Sequence, residues 1–217
     1  MHDMMTPLQK TGVKMHPKLF EWMSLDCTRL LTQISRRSKK RFQTPAQALP
    51  EVVRMMGYKI VWSSQVPENV YAFTNFDRRE VVLAKDLKQR LSHPASLRGV
   101  VYACLAHELG HIRMHAYEAR KGKRSVRWES EAHAYSGAFL VPHREVLSEP
   151  ETQVLLGGLL QDQESMWKQV LRLAERYQVN GSFMACALNR YGVLRFCPRT
   201  RRLQVSNVLM RRATRVA

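Results

Sequence analysis

With 217 residues the chain can hold one well-buried domain plus a small appendage, or two small domains, and 45% hydrophobic residues is ordinary for a folded protein. A net charge of +17 at pH 7 is not ordinary, and it draws the chain toward polyanions or an acidic partner. Cys27, Cys104, Cys186 and Cys197 are scattered without a C-x-x-C pair, residues 1–18 lack the apolar core of a signal peptide, and no run approaches the roughly 18 apolar residues of a membrane span; a cytoplasmic protein with free thiols and no membrane contact is expected.

Leu19, Trp22, Met23, Leu30 and Ile34 fall at helical spacing and predict a first helix over about 17–35, running into the basic stretch Arg36-Arg37-Ser38-Lys39-Lys40-Arg41. Thr44 as N-cap, Pro45 at the first helical position and Gly57 past the end predict a second helix over about 45–56, with Pro50 working against it. The period then changes. Tyr58 to Ser63, Val70 to Asn75 and Glu80 to Ala84 are short, rich in β-branched and aromatic residues and separated by turn formers, which predicts a small sheet.

A long helix over about 94–117 follows, then a basic loop from Lys121 to Arg127. In the next helix, about 127–141, Trp128, Ala132, Tyr135 and Phe139 make one apolar stripe that Pro142 ends. Glu129 and Glu131 flank the stripe on opposite sides, and periodicity does not choose between them. Helices over about 166–177 and 182–191, joined by a Gly-containing turn, have the outline of a helix-turn-helix; an αα-corner packed on the main body is the commoner form of that pattern. After Glu175 there is no acidic residue, so Arg195, Arg199, Arg201, Arg202, Arg211, Arg212 and Arg215 form a locally uncompensated segment.

The chemistry concentrates in His107-Glu108-Leu109-Gly110-His111 on the long helix. Residues four apart share a face, so both imidazoles can close on one Zn2+, while Glu108, about 100° further round, can reach a water without being a ligand. His115 lies about 12 Å along the axis from His107, too far to share the ion. The metzincin pattern is excluded because Met114 and Tyr117 stand where it needs Gly and His. A third ligand must therefore come from another element.

Ala106-His107-Glu108-Leu109-Gly110-His111 with His115, followed by Glu129-Ser130-Glu131-Ala132-His133-Ala134-Tyr135 and Phe139-Leu140-Val141-Pro142, resembles the ImmA/IrrE family of zinc metallopeptidases. Its signature is A-H-E-L-G-H-x-x-x-H, then E-x-[EQ]-A-[ND]-x-F-A-x-x-[FL]-L-x-P. Residues 45–84 and 173–191 are similar to its flanking segments, and a helix-turn-helix before the peptidase unit, found in some members, is not evident in the first forty residues. The resemblance implies one Zn2+ held by His107, His111 and Glu129, with Glu108 catalytic. Glu129 is preferred to Glu131 because the family accepts Gln at the latter position. His133 replaces the family's Asn or Asp, and Tyr135 its Phe. His115, His133 and Tyr135, with Tyr102 and Tyr117, are candidates to orient a ligand or to donate to the reaction's oxyanion.

The expected architecture is α+β and zincin-like, a small twisted sheet packed on the His-Glu-x-x-His helix. The expected division is a basic helical segment at 1–41, a metallopeptidase core at 42–150, a helical segment at 151–194 and a basic tail at 195–217. The implied function is site-specific cleavage of a protein substrate, a helix-turn-helix transcriptional repressor, derepressing a mobile element or stress response. The alternative is a non-catalytic zinc-containing regulator that binds a repressor or DNA through the basic C-terminal segment. Glu108, which has no task in a closed structural zinc site, favours the enzyme.

Overall fold

The computed structural model describes residues 16–38, 41–158, 160 and 162–205. Lys39, Lys40, Arg211, Arg212 and Arg215, and the stretch read for a signal peptide up to Met15, lie outside the described residues.

The expected α+β architecture is found. Helix α1 (Pro17–Ser38) buries Met23, Cys27, Leu30 and Ile34, an i, i+4, i+7, i+11 stripe. Trp22, expected on that stripe, faces outward, because the buried face is shared instead with Asp26. Helix α2 (Pro45–Met55) starts with proline at its first turn and keeps Pro50 inside, while Gly57 turns out of it at φ 81°. Strands β1 (Lys59–Ser63), β2 (Ala72–Asn75) and β3 (Glu80–Ala84) form one mixed sheet in the order β1-β3-β2. β3 is parallel to β1 and antiparallel to β2. Its Val81, Val82 and Leu83 are buried, as befits the central strand, and β2 is left as an edge.

After the single turn α3 (Leu87–Arg90), helix α4 (Ala95–Arg120) crosses the molecule and α5 (Trp128–Leu140) packs along it. α5 is buried at Ala132 and from Ala134 to Leu140, so it is the spine of the core. Helices α6 (His143–Ser148) and α7 (Pro150–Leu156) lead to α8 (Gln163–Arg176) and α9 (Gly181–Arg190), whose N-caps Asp162 and Asn180 accept hydrogen bonds from the Ser165 and Phe183 amides. α8 and α9 pack on each other and on α4 and α5, the αα-corner arrangement. Beyond them, where a basic tail is expected, β4 (Leu194–Cys197) pairs antiparallel with β5 (Arg202–Val205). Leu194, Phe196 and Leu203 point inward and Arg195 and Arg202 outward, the alternation of a half-buried hairpin. Among the described residues no helix is long and apolar enough to cross a membrane.

One side chain that is absent sets the spacing of the two central helices. A Cβ on Gly110 would stand 2.8 Å from the Ala132 Cα and 2.9 Å from its carbonyl oxygen, both backbone atoms of α5 that cannot yield alone. In an isolated helix Gly→Ala gains roughly 0.5–1 kcal/mol, so Gly here marks a forced approach. Gly110→Ala is expected to destabilise the protein by about 1–3 kcal/mol in denaturant unfolding, reversing the helix-propensity sign; an unchanged or raised stability would mean the helices are free to part.

Candidate metal centre

α4 carries His107 and His111 one turn apart on the face turned toward α5, and their Nε2 atoms lie 3.1 Å apart. Glu129, in the first turn of α5, brings Oε2 to 3.2 Å from the His107 Nε2 and Oε1 to 3.4 Å from the His111 Nε2. Ligand bonds of about 2.0–2.1 Å in a tetrahedron require donors about 3.3 Å apart. The three side chains are thus spaced as one four-coordinate ion needs. Hydrogen bonds from both imidazoles hold the Glu129 carboxyl well below the usual carboxylate range. Burial opposes charge on His111, but the bond to Glu129 and the nearby Glu108 outweigh it and raise its pKa. His107, Glu129 and His133 also form a group, with ligand atoms within 4.8 Å of one another. The set containing His111 is the one whose donor spacings, 3.1–3.4 Å, match a tetrahedron.

Behind the pair a chain of contacts runs into the core. The His111 Nδ1 is 3.2 Å from the His115 Nδ1, and the His115 Nε2 is 3.0 Å from Glu131 Oε2. His115 is 3% exposed and stacks on Trp128 with ring centroids 4.7 Å apart. The network is satisfied when His115 donates from Nε2 to Glu131 and accepts at Nδ1 from the His111 Nδ1–H, which aims the His111 Nε2 lone pair at the centre. The two glutamates that periodicity left equivalent are therefore separated in space: Glu129 faces the imidazole pair and Glu131 faces His115.

Glu108 is 5% exposed and lines a cleft of about 940 Å³ together with the imidazole pair. Thr74 of β2 donates from Oγ1 to the Glu108 Oε2 at 2.7 Å, fixing the carboxylate from the opposite wall. Sequence reasoning missed Thr74, for no local pattern links residues brought together by sheet-on-helix packing. β2 and the loop around Gly122–Ser125 line the cleft, as do Phe183, Cys186 and Arg190 of α9 and its N-cap Asn180.

The candidates for an oxyanion donor separate as clearly. Tyr135 is corrected: it is fully buried, and its hydroxyl donates to Asp26 at 2.6 Å, away from the cleft. Asp26 also takes a forked contact from Arg113, so this tyrosine belongs to a buried network joining α1, α4 and α5. Tyr117 is 67% exposed and is bonded to Lys121; Tyr102 packs on the core. His115 sits behind His111 and does not line the cleft. His133 does line it. Its ring centroid is 4.2 Å from that of His107, its Nε2 is buried without a hydrogen-bond partner, and burial pushes its pKa down to about 3.

Residues 103–189 match the family model of the IrrE N-terminal-like domain, Peptidase_M78, which bears out the resemblance carried by the two motifs. Among solved structures, a Mycobacterium tuberculosis transcriptional regulator has a similar fold, with a TM-score of 0.50 over 82% of this chain at 13% identity. This chain spans about half of that one, 51% of its length. No curated protein matches in sequence.

The geometry orders the effects of substitution on metal binding. Titrated with Zn2+ against a chelator, Glu129→Ala is expected to lose stoichiometric binding, whereas Glu131→Ala and His115→Ala weaken it by about 10–100-fold through the misplaced His111 ring. Full affinity in Glu129→Ala would move the centre elsewhere.

Proposed function

We propose that the chain, whose residues 103–189 match the IrrE N-terminal-like domain model, is a zinc-dependent endopeptidase. The observation that carries this reading is the convergence of His107, His111 and Glu129 within 3.4 Å beside a cleft-facing Glu108 that is not needed to complete the set. The donor set, two imidazoles and a carboxylate, suits Zn2+, and the spacing matches its bond lengths. Bound there, Zn2+ supplies a Lewis acid that polarises the scissile carbonyl and acidifies water.

Glu108 takes the proton of the attacking water and hands it to the leaving amine. Thr74 holds the Glu108 carboxylate so that one oxygen stays anchored while the other faces the water. His133, which lines the cleft with its ring against that of His107, is the donor we assign to the developing oxyanion. The free edge of β2 supports a peptide substrate, because an extended chain can add to it as a further strand and lie across Glu108.

The substrate class that fits best is a protein, and the resemblance to regulatory ImmA/IrrE peptidases favours a transcriptional repressor met in the cytoplasm. The protein of similar fold is a transcriptional regulator, which agrees with such a setting. Glu108→Gln is expected to keep its zinc and to lose peptide hydrolysis by at least about 100-fold, the usual size of a general-base contribution. Near-normal turnover by that variant would end the peptidase reading.

One observation favours a second reading, a regulator acting by contact. Arg195, Arg199, Arg201 and Arg202 are all exposed on the β4–β5 hairpin, a cationic face suited to phosphate or to an acidic protein. If it grips DNA, converting the four to Gln is expected to abolish a salt-dependent electrophoretic shift by the full chain; if the wild type gives no shift at low salt, the face serves protein docking or solubility.

A further inference from the structure

Arg190, the last residue of α9, lines the cleft with Lys123, which pairs with Glu118, and Arg124, and of the three it is the one that contacts His133 beside the metal centre. Its guanidinium lies over Gly137 of α5, where an added Cβ would stand 3.0 Å from Nη1, and it donates from Nη1 to the His133 carbonyl at 3.3 Å. Of its five N–H donors, this is the one that finds a protein acceptor among the described residues, and no described carboxylate pairs with it. Arg190 is exposed and lines the cleft, and partial desolvation lowers its pKa. The charge has no counterpart nearby in sequence, because no acidic residue follows Glu175.

Contrast Arg113 and Arg176, whose guanidiniums fork onto Asp26 and onto Glu149 and Glu151. Those two arginines are each satisfied by carboxylates. Arg190 lines the cleft with one long backbone contact beside His133, whose ring abuts His107, which leaves its other donors without a protein acceptor among the described residues. A planar fork of N–H groups in a partly desolvated wall matches a carboxylate better than any other group a peptide carries.

We propose that Arg190 binds a carboxylate of the substrate and so sets specificity next to the scissile bond. This rests on the peptidase reading. The carboxylate comes either from an Asp or Glu side chain or from a free C-terminus; the shared chemistry is a planar anion taking two parallel N–H bonds.

The test uses the full chain loaded with zinc and a fluorescence-quenched positional peptide library, made with free and with amidated C-termini. Expected is a preference of about tenfold or more for Asp or Glu over Asn or Gln at one position near the cleaved bond, or for free over amidated ends if the terminal carboxylate is bound. In Arg190→Gln that ratio falls toward one, and in Arg190→Lys part of it returns, with zinc content and thermal melting checked in both to exclude misfolding. A second readout does not need turnover: Glu108→Gln protein retains acidic peptides over their amide counterparts, and Glu108→Gln/Arg190→Gln does not. Arg190-dependent retention without cleavage by the wild type would leave the carboxylate site standing and remove the peptidase. Equal cleavage and retention of acids and amides, or a preference that survives Arg190→Gln, would overturn the proposal.

Discussion

The contact between α4 and α5 at Gly110 is the constraint on which the rest of the molecule depends. Backbone meets backbone there, with Ala132 where a side chain would otherwise stand. That approach places the first turn of α5 across from the His107–His111 turn of α4, and Glu129 reaches both imidazoles only because no Cβ holds the helices apart. A shift of about 1 Å would spoil the near 3.3 Å donor spacing that a small tetrahedral ion demands. The geometry of the centre is therefore a property of helix packing and not of the His-Glu-x-x-His spacing alone.

Polar networks lock that packing at both ends of the contact. On the core side, Asp26 of α1 takes a fork from Arg113 of α4 and the Tyr135 hydroxyl of α5, so one carboxylate ties three helices together. Desolvation makes such a network costly when incomplete, which is why it specifies one arrangement of the helices. On the cleft side, the His111–His115–Glu131 chain fixes an imidazole from behind while Thr74 fixes the base from in front. The centre, the base and the edge of β2 are held by three separate elements around one cleft.

Much of this was legible in the chain. The stripe Ala132, Tyr135 and Phe139 gave α5, the change of period after Gly57 gave the three strands, and the four-residue spacing of His107 and His111 placed them on one face. Trp22 fitted the α1 period yet lies outside, since a buried Asp26 took part of the inward face, a tertiary demand that no local pattern records. The β4–β5 hairpin hid behind its arginines: Leu194, Phe196 and Leu203 alternate with charge, and composition read the stretch as a tail. Tyr135 looked available because its position beside the second motif says nothing of depth. Thr74 and Arg190 reach the cleft from strands and helices 34 and 57 residues distant from their partners Glu108 and His133, and only the fold relates them.

X-ray absorption at the zinc edge, on full-length protein carrying one equivalent of zinc, tests the proposed centre most directly. The account predicts a light-atom shell at about 2.0–2.1 Å containing two imidazoles, with carboxylate oxygen beside them and no sulfur. A shell of three imidazoles, a scatterer at the roughly 2.3 Å of a thiolate, or failure to retain stoichiometric zinc would contradict it.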